Sequence, residues 1–181
     1  MAKLYWLDRQ RTADGASIYL ASHDLYVFKS GQPFEEDFEV PVHFTLDEDL
    51  RQGELPTFFS TPAWVARRQV YSDLHHLGID NIQAYEARIE DPVDGRVIGD
   101  YQFLNVVGLV SCADMAHSEA ETIGPGMVMI NDLVLDSHRV PSLDLFLLAE
   151  DTDKMIVSQR VHDYFRKQGY PDVFLQELRQ V

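Results

Sequence analysis

The stretch from Asn81 to Val110 constrains the fold more than any other part of the chain. Asn81-Ile82-Gln83-Ala84-Tyr85-Glu86-Ala87-Arg88-Ile89 and the run from Val97 to Val110 are rich in β-branched, aromatic and other apolar residues, and Asp91-Pro92-Val93-Asp94-Gly95 lies between them. An Asp-Gly dipeptide supplies the backbone freedom that a tight reversal needs, so the stretch predicts a long antiparallel hairpin. A helix is predicted just before it, over Thr61 to Leu77. Thr61 is its cap, Pro62 stands in its first turn and Gly78 stops it. Ala66, Val70, Leu74 and Leu77 then form one apolar face, leaving Arg67, Arg68 and Asp73 to water.

The remaining elements are shorter. Lys3 to Leu7, Ser17 to Tyr19 and Leu25 to Phe28 suit strands or extended segments, broken by Asp14-Gly15 and Ser30-Gly31. Val40–Leu46 alternates apolar and polar residues, and Pro41 argues for an edge position. Further strands are expected at Met127 to Leu135 after the Gly124-Pro125-Gly126 turn, at Leu143 to Leu148, at Met155 to Val157 and at Val173 to Leu178. A second helix starts at Ser158 and buries Val161, Tyr164 and Phe165. It carries Arg166 and Lys167 at its negative end and closes at Gly169. Helices set among hairpin-joined strands define an α+β fold: a mainly antiparallel sheet with a central helix and a C-terminal helix packed on it. Residues 1–181 are expected to form a single domain, since 181 residues can bury one substantial core.

Charge narrows the partners. The formal net charge is −15. Residues 30–60 hold eight acids (Glu35, Glu36, Asp37, Glu39, Asp47, Glu48, Asp49, Glu54) against Arg51 alone, and residues 89–153 hold thirteen acids against Arg96 and Arg139. Such a field repels nucleic acid and anionic membrane, and it speeds encounter with a basic protein; it also serves plain solubility. The N-terminus lacks the apolar run of a secretory signal, and no segment approaches the roughly 20 apolar residues of a membrane span, so a cytoplasmic location is expected. The lone Cys112 excludes an internal disulfide and a cysteine-rich zinc site.

No arrangement of residues compels an enzymatic reading. His75 and His76 are adjacent, so on a helix they diverge by about 100° and do not grip one ion. Cys112 with His117 is a conceivable thiol and base, but a free cysteine ending an apolar strand is more often a small core residue. Ser118 beside His117, and Ser137-His138, suit loops, and no Gly-x-Ser-x-Gly elbow is present. Asp91-x-x-Asp94-Gly95 lacks calcium-loop spacing and is expected to be a plain turn. No glycine-rich phosphate loop occurs, and no cofactor is expected. Phe34, Phe38, Phe44, Phe58, Phe59 and Trp64 stand beside acids. They serve either as core or as interface anchors, with adjacent Phe58 and Phe59 facing opposite ways.

A pattern emerges in the second half: Tyr101-Gln102-Phe103-Leu104-Asn105-Val106, then Asp114 with Ser118, Leu133-Val134-Leu135-Asp136, and Met155-Ile156-Val157-Ser158-Gln159-Arg160-Val161 leading to Gly169. In order and spacing it resembles the immunity proteins of bacterial polymorphic toxin systems over residues 80–181. Tyr5-Trp6-Leu7 and the helix ending at Gly78 add fainter support. The resemblance implies a protein that binds and neutralises a cognate secreted or contact-delivered toxin, without catalysis. It assigns no catalytic residues: Tyr101, Asn105 and Ser158 read as an aromatic on the sheet, a polar strand residue and a helix cap. Tyr170-Pro171-Asp172 departs from the Thr-Gly often found before the last strand in the family, which bears on that turn alone. The expected toxin-contact residues are Glu35, Glu36, Asp37, Asp47, Glu48 and Asp49, facing a toxin expected to be basic. An enzyme with an unrecognised carboxylate and histidine site, or a non-catalytic adaptor, are the competing readings.

Overall fold

The computed structural model describes residues 2–9, 16–21, 28–34, 38–48, 55–125 and 127–181. Two larger sheets carry most of the strands. One has five strands, in the order β14 (Val173–Glu177), β1 (Leu4–Arg9), β13 (Met155–Ser158), β12 (Leu145–Leu148), β8 (Leu109–Val110). The other has six, in the order β2 (Ile18–Leu20), β3 (Val42–Leu46), β6 (Ile82–Glu90), β7 (Val97–Val106), β5 (Val65–Arg67), β4 (Phe58–Phe59). The chain is mostly β, with two helices, α1 (Arg68–His76) and α2 (Gln159–Gln168). Most strand pairings among the described residues are antiparallel, but β3 with β6 and β8 with β12 run parallel, so both larger sheets are mixed.

The expected hairpin is β6–β7. Its reversal is built by Asp91, whose Oδ1 accepts from Val93 N at 3.0 Å and whose carbonyl accepts from Gly95 N at 2.9 Å. Gly95 takes the left-handed conformation at φ 70°. The returning strand stops at Val106 rather than Val110. Gly108, at φ 137°, breaks it, and Leu109–Val110 crosses to the other sheet. The strand at Val42–Leu46 lies between β2 and β6 and is no edge strand; Pro41 precedes it and removes no bond from the ladder.

The first helix is shorter than the sequence predicts. It begins at Arg68, not Thr61. Val65–Arg67 pairs with both Phe58–Phe59 and β7 instead. Ala63, Trp64, Val65 and Ala66 are all buried, a continuous apolar run that a strand covered on both faces accommodates and a one-faced helix does not. From Val70 the helical pattern holds, and Gly78, at φ 76°, ends it by donating to His75 O at 2.8 Å. Asp73 is buried rather than wet: Tyr170 Oη donates to it at 2.5 Å and Gln69 Nε2 at 2.7 Å. The second helix closes as expected on Gly169. Ser158 occupies the position before its first turn, but its hydroxyl donates to Asp144 instead of capping.

Strand alternation distributes the core into three layers. Leu145 and Leu147, with Met155 and Val157, face α1, α2 and the near face of the six-stranded sheet, where Leu104 and Val106 meet Val70, Leu74, Val161 and Phe165. The intervening Phe146, Leu148 and Ile156 point the other way, onto Cys112, Leu135 and Leu178. On the far face of the six-stranded sheet, Tyr101 and Phe103 pack with Phe28, Phe44 and Ile89. Phe58 belongs to the first layer and Phe59 to the second, both buried, so the adjacent pair fills two cores. Phe34 and Phe38 stack on each other at 4.3 Å over the second core. The aromatic set is therefore core material.

Candidate partner-binding surface

Of the acidic residues singled out from the sequence, Asp47 and Glu48 follow β3, and Asp47 is held there by the Tyr19 hydroxyl. Glu48 is exposed. Glu35, Glu36, Asp37 and Asp49 lie outside the described residues. In the second acidic block much of the charge is structural. Asp91 is fully buried, and Asp132, Asp136 and Asp144 pair with Arg179, Arg139 and Arg160. Hydrogen bonds from Arg139 and from Arg160 hold the carboxyls of Asp136 and Asp144 below the usual range.

Among the described residues, no group of three or more His, Cys, Asp or Glu side chains converges as a metal site would. His76 Nδ1 bonds to Ser72 O at 2.7 Å on the exposed side of α1. His117 Nδ1 bonds to Asp114 Oδ2 at 2.8 Å at the surface, whereas Cys112 is fully buried in the third core. Burial pushes the Cys112 thiol up to about 12, the opposite of what a nucleophile needs. Ellman's reagent is therefore expected to leave the folded protein unlabelled at pH 8 and to modify one thiol after denaturation. Prompt labelling of the native protein would contradict this burial.

The motif residues in the second half meet in space. Ser118 Oγ accepts from Val134 N at 2.9 Å, Asp114 N donates to Val134 O at 2.8 Å, and Asp136 N donates to Cys112 O at 2.8 Å, so the Asp114–Ser118 turn is laced to Leu133–Asp136. Tyr101 Oη donates to Pro56 O at 2.5 Å, and Asn105 Nδ2 donates to Gln32 O at 2.8 Å and Gln83 Oε1 at 2.9 Å. These side chains satisfy buried or half-buried backbone, the fold-determining role expected of them. At the departing segment, Asp172 Oδ2 accepts from Thr57 N at 2.6 Å, which fastens the last turn to the six-stranded sheet.

One surface feature escapes a reading of the sequence. Glu119–Gly124 (β9) and Met127–Asp132 (β10) form a separate two-stranded sheet. The single strand predicted over Met127–Leu135 is broken at Leu133, and Val134–Leu135 (β11) pairs in parallel with Arg179–Gln180 (β15). Beside the β9–β10 hairpin lies a cleft of about 290 Å³, lined by Trp6, Asp8, Ser60, Thr61, Asp153 and Lys154 on one side and by Ile123, Val128 and Met129 of the hairpin on the other. Lys154 Nζ lies 3.8 Å from the centre of the Trp6 ring and 3.8 Å from Asp151 Oδ2. Lys29 Nζ bonds to Ser60 O at 2.6 Å and Asp153 Oδ1 at 2.5 Å. Both cations are thus buried and already matched to carboxylates.

The sequence model of the immunity protein family (Imm11) matches residues 10–178, and the chain belongs to that family. The relationship extends well beyond residues 80–181, where the motifs are densest. No curated protein matches the chain.

Proposed function

We propose that this protein binds and neutralises a cognate toxin, secreted or contact-delivered, of a polymorphic toxin system. It acts in the cytoplasm of the producing cell as a single domain, by binding alone, with neither catalysis nor a cofactor. The observation that carries this reading is the family match over residues 10–178. The net charge of −15 supports it, because an inhibitor must meet its target quickly and a field of one sign accelerates encounter with a basic partner. No helix among the described residues is long and apolar enough to cross a membrane. Glu35, Glu36, Asp37, Asp47, Glu48 and Asp49 are proposed as the steering edge of the toxin contact.

The test is co-expression of the toxin encoded beside this gene, with and without this chain, followed by binding measurements at low and high salt. Rescue of growth and a complex whose association slows with salt are expected. Changing Glu35 and Glu36 to Gln and Asp37 to Asn should lower the association rate and flatten its salt dependence while leaving dissociation nearly unchanged. Failure of the wild-type chain to rescue or to bind would overturn the function. Unchanged kinetics in the triple variant would remove that acidic edge from the contact.

A further inference from the structure

We infer that the β9–β10 hairpin and the cleft beside it are the seat of the toxin, and that they take an extended toxin segment carrying a basic side chain between apolar ones. This rests on the proposed immunity function and assigns its main contact. The hairpin is built as an arm. Its two strands pair only with each other, and Ile130 is its one buried residue among those described. Ile123, Met127 and Met129 hold 56%, 57% and 40% of their surface in water. Three large apolar side chains gathered on one projecting element are a patch that association would cover, unlike apolar residues scattered singly. Methionine suits this role, since its unbranched chain adapts to the surface it meets.

The base of the arm is fixed: Ile130 N donates to Asp151 Oδ2 at 3.0 Å, and Arg179 holds Asp132. The apolar side chains are therefore presented on an anchored frame, which lowers the entropic cost of binding. Charge selects the occupant. Residues 119–132 contain Glu119, Glu121 and Asp132 and no lysine or arginine, and the cleft adds Asp8 and the exposed Asp153. Among the described residues, the cations at the cleft and at the base of the hairpin, Lys29, Lys154 and Arg179, are already matched to Asp153, Asp151 and Asp132, which leaves Glu119, Glu121 and Asp8 in excess. A lysine or arginine of the partner would meet carboxylates here, and its apolar neighbours would cover Ile123 and Met129.

The test measures binding of the toxin encoded beside this gene to the full chain and to the variant I123E/M127E/M129E. All three substituted side chains are exposed, so the unfolding temperature should stay at the wild-type value, while the dissociation constant should rise at least about 30-fold. V93E, at an equally exposed apolar position on the β6–β7 turn, should bind as wild type. Hydrogen exchange supplies a readout free of substitutions: amides of residues 119–132 should slow on complex formation. Wild-type binding with an unaffected triple variant and no protection of the hairpin would overturn this inference and leave the immunity function standing. Absence of any wild-type binding would overturn both. A wild-type dimer that the triple variant converts to monomer, with toxin binding intact, would identify the patch as a contact between copies and overturn the toxin seat.

Discussion

Phe103→Ala is expected to cost about 3–5 kcal/mol of folding stability. Phe103 is 1% exposed and stands at the centre of the second core. Phe28 meets it edge to face with ring centres 4.7 Å apart, while Phe34, Tyr85 and Phe38 lie at 5.8, 6.0 and 6.2 Å. Truncation removes both the buried surface and the geometry that lets these rings contact one another, and the ladder that pairs Phe103 with Tyr85 holds the backbone from collapsing into the space left. Urea titration should show the midpoint falling with little change in slope, and V97A, at a position 56% exposed on the same strand, should shift stability by less than about 0.5 kcal/mol. A loss below about 1 kcal/mol for Phe103→Ala would mean that the cluster is loosely packed and that the second core is not what holds the six-stranded sheet.

Phe103 also marks where the sequence was most legible. The Asp94-Gly95 turn between two β-branched, aromatic runs marks the hairpin, and Gly169 marks the end of the second helix, because each depends on residues close along the chain. The errors arose where distant residues decide. Ala66, Val70 and Leu74 fit a helical period, yet Ala66 pairs with Phe58 and Gln102 in a sheet, and the helix starts two residues later. The parallel pairing of Val42–Leu46 with β6 requires a partner more than forty residues away, so its interior position has no local signal. Asp73 looks wet in sequence and is dry because Tyr170, 97 residues on, donates to it.

The candidate binding surface was less legible than the fold. Net charge pointed to a basic partner, but it does not distinguish carboxylates committed to Arg139, Arg160 or Arg179 from those left to meet a partner. The cleft draws on residues 6, 8, 60, 61, 123, 128–131, 151, 153 and 154, which are brought together only by the fold and not by the order of the chain. Glu119-Ala120-Glu121-Thr122-Ile123-Gly124 has neither a buried face nor strong alternation, since a projecting arm has little core to face. An element that buries so little lacks the very pattern by which elements packed on the core are recognised.

Beneath that arm, Asp151→Ala is expected to destabilise the protein by about 3–5 kcal/mol, whereas Lys154→Met, which leaves Asp151 its two backbone donors, is expected to cost less, about 1–3 kcal/mol. Asp151 is 9% exposed and serves three groups: Ile130 N at 3.0 Å, Asp153 N at 3.3 Å and the Lys154 ammonium at 3.8 Å. Alanine strands a backbone donor and a buried charge together. Methionine at position 154 keeps an apolar stem against Trp6 and removes the charge that had to be desolvated. The pH dependence separates the two effects. Burial holds the Lys154 amine below its ordinary value of 10.5, partly offset by Asp151, Asp8 and Asp153. Between the lowered value and 10.5 the unfolded chain keeps this proton and the folded chain has lost it, so Lys154 makes stability rise with pH through that window and contributes no slope below it. Between pH 7 and 10.5 the wild-type stability should rise relative to that of Lys154→Met, since the loss caused by the buried Cys112 thiol is common to both, and the relative rise should begin at lower pH in Asp151→Ala, where the nearest carboxylate is gone. Parallel wild-type and Lys154→Met profiles would mean that the ammonium is solvated through the cleft, and that the base of the hairpin is open to water rather than sealed by Trp6.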